Sequence, residues 1–155
     1  MRVLLVVVGA LVCGTTLTGC GNSSASSAPT PKEDPAKAMV RLVQHEFAGR
    51  LDSSYAMLIR EQRDAVDHGL YVKCKPGLPT NGVRVLVLGV KDEMFNVPVL
   101  GRAQTKAVRY EMSVPDASGK RIKIVSKGHL IAQDGKWHWT LSERSLSAFL
   151  AGACP

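Results

Sequence analysis

The sequence predicts an α+β domain in which N-terminal helices pack on a curved antiparallel sheet. Three observations carry this. Between Pro35 and Val66 the apolar residues recur at spacings of 3 and 4, the period of a helix face. From Val83 onward the period changes to 2, the period of a strand. Asp134-Gly135 then punctuates the last apolar stretch as a two-residue hairpin turn. Helices first and strands afterwards is the order of an α+β fold, not of a parallel α/β one.

The chain opens with Arg2, an apolar run from Val3 to Gly14, and a smaller, more polar end from Thr15 to Cys20. That is the layout of a secretory signal, too short to span a bilayer core of about 30 Å. Leu17-Thr18-Gly19-Cys20 resembles the lipobox of bacterial lipoproteins. The resemblance implies cleavage before Cys20, acylation of its thiol, and a place on the extracytoplasmic face of the cell membrane. Each buried methylene contributes about 0.8 kcal/mol, so two or three acyl chains hold firmly. Residues 1–19 are then the signal peptide, 20–35 the lipidated cysteine with its tether, and 36–155 one domain. Gly21 to Pro35 is rich in Ser, Pro and Ala without apolar period, a flexible spacer reaching about 20 Å.

The formal charge is +7, unevenly spread. From Lys32 to Lys75 there are eight basic and seven acidic residues, and from Arg84 to Arg144 eleven and six. Outside the cytoplasm this excess points to anionic lipid, acidic wall polymer or an acidic envelope protein rather than to nucleic acid. Cys13 leaves with the signal and Cys20 is lipidated, so Cys74 and Cys154 remain as a predicted disulfide. Closing so long a loop is worth about 4 kcal/mol in the chain-entropy picture. Without CxxC spacing, two lone cysteines do not suggest zinc.

Taken in order, Pro35-Ala36 opens a first helix with Glu33-Asp34 at its positive end. Ala36, Val40, Val43 and Phe47 form its stripe, widened by Met39 and Leu42, and Gly49 ends it. Asp52 or Ser53 caps a second helix that carries Tyr55, Leu58, Ile59, Gln62 and Val66 inward and ends at His68-Gly69. Tyr71 to Gly82 reads as a connector. A strand runs from Val83 to Gly89, and Lys91 to Gly101 reads as a loop or small edge piece because Pro98 lacks a ladder N–H. The next strand places Val108, Tyr110, Met112 and Val114 on one face and Ala107, Arg109, Glu111 and Ser113 on the other. Pro115 to Gly119 turns the chain, and Ile122 and Ile124 then face away from Arg121 and Lys123. The hairpin about Asp134-Gly135 sets Ala132 against Trp137, Leu130 against Trp139 and Gly128 against Leu141 on one face. On the other it sets Ile131 against His138 and His129 against Thr140. Ser142 to Ala151 forms a short closing helix.

Ala48-Gly49-Arg50-Leu51-Asp52 at the first helix end, Tyr55-Ala56-Met57-Leu58 in the second helix, and Asp134-Gly135-Lys136-Trp137 at the sheet's end resemble the nuclear-transport-factor-2-like superfamily. The likeness is to its form in actinobacterial lipoproteins with lumazine-binding-like domains. The resemblance covers about Ala36 to Ala151 and implies a cone-shaped fold with a cavity between helices and sheet. It also implies sheet-to-sheet homodimers as a possible assembly. The superfamily holds enzymes, binders and scaffolds, so it does not fix function.

Tyr110, Met112, Trp137 and Trp139 are the expected lining of such a cavity, suited to an apolar or aromatic ligand. Arg109, Arg121, Lys123, Lys127 and Lys136 are expected to share the polar sheet face with His129 and His138, as a strip for anionic surfaces. His45 is expected in solvent and His68 at a helix end. No metal site or cofactor is expected. An isomerase or dehydratase would need an acid or imidazole on the concave face, and the sheet supplies none. The sequence thus favours a non-enzymatic binding or interaction module, with a small-ligand carrier or sensor as the alternative and an isomerase-like enzyme as the third.

Overall fold

Asp34 caps the first helix: its Oδ1 accepts the Ala36 N–H at 2.7 Å, and Pro35 occupies the first turn. The computed structural model describes residues 29–74, 82–116 and 118–155. The expected signal peptide, Cys20 and most of the expected tether lie outside the described residues. Helix α1 (Pro35–Phe47) buries Ala38, Met39, Leu42 and Val43, so its inward face is turned toward Met39 from the predicted Ala36–Val40–Phe47 stripe. The reason lies in the sheet. Gly128 has no side chain, and a Cβ there would stand 2.5 Å from Met39 Cε. The glycine is the seat into which Met39 drops.

The predicted second helix is two. Helix α2 (Leu51–Ala56) stops at Met57, and α3 (Arg60–Ala65) begins after Ile59. Between them Leu58 is extended and pairs in parallel with Trp139. The Trp139 N–H donates to the Met57 carbonyl at 2.8 Å, and the Ile59 N–H to the Trp139 carbonyl at 3.0 Å. Two sheet bonds replace the helical ones, so the break leaves no orphaned backbone group there. His68-Gly69 opens α4 (His68–Cys74) instead of closing a helix. Asp67 makes the start, its Oδ1 accepting the Leu70 N–H at 2.6 Å. Tyr71 to Cys74, read as connector, is therefore helical.

The sheet is a four-stranded antiparallel meander in the order β1 (Arg84–Val97), β2 (Gly101–Pro115), β3 (Arg121–Gln133), β4 (Lys136–Trp139). The expected loop from Lys91 is strand as far as Val97, and Pro98 sits in the turn that follows. The proline argument holds for Pro98 itself and says nothing of the seven residues before it. Strand β1 carries a bulge at Leu88, between Val87 and Gly89. The hairpin register is as predicted from Gln133↔Lys136 to Leu130↔Trp139, with Asp134 and Gly135 both at positive φ (50° and 71°). It ends there. His129–Thr140 and Gly128–Leu141 do not pair, because the Leu141 N–H turns to Gln62 Oε1 at 2.7 Å.

Helix α5 (Glu143–Leu150) starts on Ser142, whose Oγ accepts the Ser145 N–H. Cys74 and Cys154 are joined, with sulfurs 2.10 Å apart across 80 residues of chain. The core has three parts. Met39, Leu42 and Val43 pack on Val108, Leu130 and Trp137. Leu58, Tyr71, Leu141, Leu146 and Phe149 gather α2, α4 and α5. Ile59, Val97 and Ile131 close the opposite, outer face of the sheet at its β3–β4 end. The helices cover only that half. Ile122 and Ile124, expected beneath them, are 48% and 43% exposed.

Filling the Gly128 seat should unseat α1. Gly128→Val should cost about 1–3 kcal/mol by denaturant unfolding, as overpacking does. Met39→Ala should recover part of that loss, so the two changes should be non-additive in a double-mutant cycle.

Candidate functional site

Two places answer to the expected sites. The first is a cavity of about 250 Å³ between α1, the sheet and α5. Tyr110 and Trp139 line it together with Met39, Leu42, Phe149 and Glu46. Met112 and Trp137 do not. Met112 packs farther along β2, and Trp137 is buried with its Nε1–H on the Glu33 carbonyl at 2.7 Å. The hairpin alternation puts both tryptophans on one face, but Trp137 is used up in holding the segment before α1. Trp139 likewise donates to the Ser54 carbonyl at 2.9 Å.

The helical acids weighed from the sequence are Asp52, Asp64 and Asp67, which fall at helix ends or in solvent; Glu46 is not among them. It lies one helical turn beyond Leu42 and Val43, so the helix period places it on the same face. The Tyr71 hydroxyl donates to Glu46 Oε1 at 3.2 Å and meets Ser54 Oγ at 3.0 Å. Burial, reinforced by Glu46, pushes the Tyr71 phenol far above its ordinary range and raises that of Tyr110. Both phenols therefore stay protonated, and Tyr71 donates its proton to Glu46.

The second place is the outer face. Arg109 and Lys127 are direct neighbours across β2 and β3, and Lys123 lies farther out on β3. The strip is not bare charge. Lys123 pairs with Glu111 at 3.0 Å, and Lys127 and Lys91 both reach Glu93, at 3.2 and 3.4 Å. The Lys127 ammonium hydrogen-bonded to Glu93 holds that carboxyl below the usual range. Arg121 is bound to Ser113 Oγ at 2.8 Å and to the carbonyls of Ser113 and Gly82. Lys136 is not part of the strip; it borders a shallow depression with Arg41, His45 and Trp137 at the β4 edge. Arg109 makes no ion pair among the described residues.

The histidines do not form a pair. His138 Nδ1 sits 3.0 Å from the Leu58 carbonyl. His129 is 8% exposed and stacks on Phe95, ring centroids 3.8 Å apart. Its Nε2 has no hydrogen-bond partner, Glu93 being 3.8 Å away. His45, expected in solvent, is half-buried with Nδ1 unpartnered, and burial lowers its pKa. His68 stands at the start of α4, 2.8 Å from Asp52. Among the described residues no group of three or more His, Cys, Asp or Glu could hold a metal, and no helix is long and apolar enough to cross a membrane.

Burial, with Lys127 beside it, keeps His129 neutral below the ordinary value of 6.5. The unfolded chain takes up a proton near 6.5 that the folded chain refuses, so folding stability should fall as pH drops below that value. His129→Gln removes the titration. Thermal unfolding from about pH 7.5 to about pH 5.5 should show a smaller loss of Tm in that variant than in the parent; equal losses would exclude His129 as the source.

No family model matches the chain, and no curated protein or solved structure matches it either, so the fold and the two sites stand on their own geometry.

Proposed function

We propose that the chain is a lipoprotein of the cell envelope, cut before Cys20 and anchored on the extracytoplasmic face of the membrane. Its α+β domain, of the cone type of nuclear-transport-factor-2-like proteins, is on this reading a non-enzymatic interaction module. The observation that carries the reading is the uncovered end of the sheet. There Leu86 and Val125 are exposed among Arg84, Arg109, Lys123 and Lys127 on the outer face, and Ile122 and Ile124 are exposed on the other. Exposed apolar side chains gathered in this way mark surfaces that meet something.

The chain's path agrees with an anchor at the other end. Pro29 lies against the Asp134-Gly135 turn, Pro31 is buried, and Trp137 binds the Glu33 carbonyl. The tether thus joins the domain where β3 ends, and the uncovered sheet begins where β3 starts, 13 residues away. At about 3.3 Å per residue, that separates the point where the described chain arrives from the far end of the sheet by roughly 40 Å. The partner is on this reading an acidic envelope protein or an anionic polymer or lipid. Homodimers through this face would set like charges together. A second reading, a carrier or sensor of a small apolar ligand, has the Tyr110–Trp139 cavity in its favour, with Glu46 at its wall. An isomerase-like enzyme ranks third: Glu46, the one acid lining that cavity among the described residues, already accepts a hydrogen bond from Tyr71.

Mass spectrometry of the product from its native membrane should find Cys20 as an acylated N-terminus; a free thiol at that position overturns the anchor. The full chain held on zwitterionic nanodiscs should bind vesicles containing phosphatidylglycerol, with binding lost as salt rises from about 50 to about 500 mM. Arg109→Glu with Lys123→Glu should weaken it by at least about tenfold. Absent or salt-independent binding overturns the interaction surface.

A further inference from the structure

We propose that the outer face carries a built site for an anionic amphiphile, a phosphate monoester bearing a short apolar chain, centred on Gly89. The inference rests on the reading of this face as an interaction surface and names what one part of it takes.

The site follows from the strand register. Gly89, Arg109 and Lys127 stand side by side on β1, β2 and β3. On the next rung Lys91, Ala107 and His129 do the same. Neighbouring strands lie about 4.8 Å apart, so Arg109 and Lys127 rise as a pair within reach of one small anion. Gly89 and Ala107 provide no bulk between the cations, and the result is an open groove lined by Leu88, Gly89, Val90, Lys91, Arg109 and Lys127 over Ala107.

The charges do not cancel. Lys91 and Lys127 share the single carboxylate of Glu93, and Arg109 has no ion pair among the described residues. Glu111, on the adjoining rung, is held by Lys123 at 3.0 Å. The groove therefore keeps a positive excess, and a guanidinium beside an ammonium suits a phosphate head.

Gly89 is the second observation. Its backbone is not in the left-handed region, and a Cβ there would meet nothing within 4 Å. It follows the bulge at Leu88, where strand glycines are common, but neither a positive φ nor close packing requires it there. What its absent side chain does is keep the groove open. The apolar part of the ligand follows from the same stretch of β1, where Leu86 and Leu88 are 60% and 44% exposed beside the groove.

The probes are hexyl phosphate, inorganic phosphate and hexanol, titrated by calorimetry into the full chain on zwitterionic nanodiscs. Hexyl phosphate should bind at least about tenfold more tightly than inorganic phosphate, with hexanol undetected. Gly89→Val, which fills the groove without changing charge, should weaken hexyl phosphate by at least about tenfold, and so should Arg109→Gln. Lys136→Gln, outside the groove, should leave it unchanged. Should Gly89→Val fail to fold, Arg109→Gln set against Lys136→Gln decides alone. Equal binding of inorganic and hexyl phosphate overturns the amphiphile and leaves a free-phosphate site. A folded Gly89→Val that binds like the parent overturns the built groove. Absent hexyl phosphate binding overturns the proposal; if anionic vesicles still bind, the interaction surface survives it, and if they do not, both fall.

Discussion

The structure depends on one extended residue. Leu58 leaves the helix, joins the sheet at Trp139 and returns to helix two residues later. Because its backbone is extended, the side chains of Leu58 and Ile59 point to opposite sides. Leu58 closes the cluster around Tyr71 and Phe149, and Ile59 closes the one around Val97 and Ile131. Both are fully buried, which for aliphatic side chains is worth about 1.5–3 kcal/mol each. A continuous helix would have turned these neighbours only about 100° apart, and one of the two faces of the sheet would have stayed open.

Gln62 shows how tightly that arrangement is bound. Its side chain is fully buried, yet both its polar atoms are used. Oε1 accepts the Leu141 N–H, and Nε2 donates toward the carbonyls of Pro98 and Leu141 at 3.3 and 3.4 Å. One amide thus ties α3 to the β1–β2 turn and to the exit of β4. It also ends the hairpin early, because the N–H that would have continued the ladder goes to Gln62. Buried amides left unpaired cost about 1–3 kcal/mol, so the contact is specific as well as stabilising.

Local chemistry was legible where it was decisive in the sequence itself. Asp134-Gly135 fixed the hairpin to the residue, because positive φ at both positions leaves one turn geometry. Pro35 behind Asp34 fixed the start of α1. The cysteine pair followed from subtraction. The helix break at Leu58 was not legible, since no glycine or proline marks it and its compensation comes from residue 139. The length of β1 was hidden for a related reason. Pro98 was allowed to speak for Lys91 to Val97, whereas a proline disqualifies only its own position. The cavity acid was legible: Glu46 sits at helical spacing from Leu42 and Val43 and therefore on the inward face of α1. The basic strip's partner acids Glu93 and Glu111 could be placed only once the register of β1 and β3 was known.

The domain's two ends are therefore different materials. At the β3–β4 end both faces of the sheet are covered, by α1 on one side and Ile59 with its neighbours on the other. At the opposite end neither is covered, and apolar side chains alternate with cations on a sheet three strands wide. The inner core reaches along the strands only as far as the partly buried Val85 and Met112, and the outer one only to Phe95 and Ile131. Strands that run beyond their own core bear a cost in ordered backbone of about 1–2 kcal/mol per residue, with little burial to offset it. The bulge at Leu88 and the charged rungs keep so exposed a sheet from pairing indiscriminately with others like it. The extension thus combines ordered backbone, little burial and defence against pairing, and it lies at the end of the sheet away from Pro29 and the Asp134-Gly135 turn.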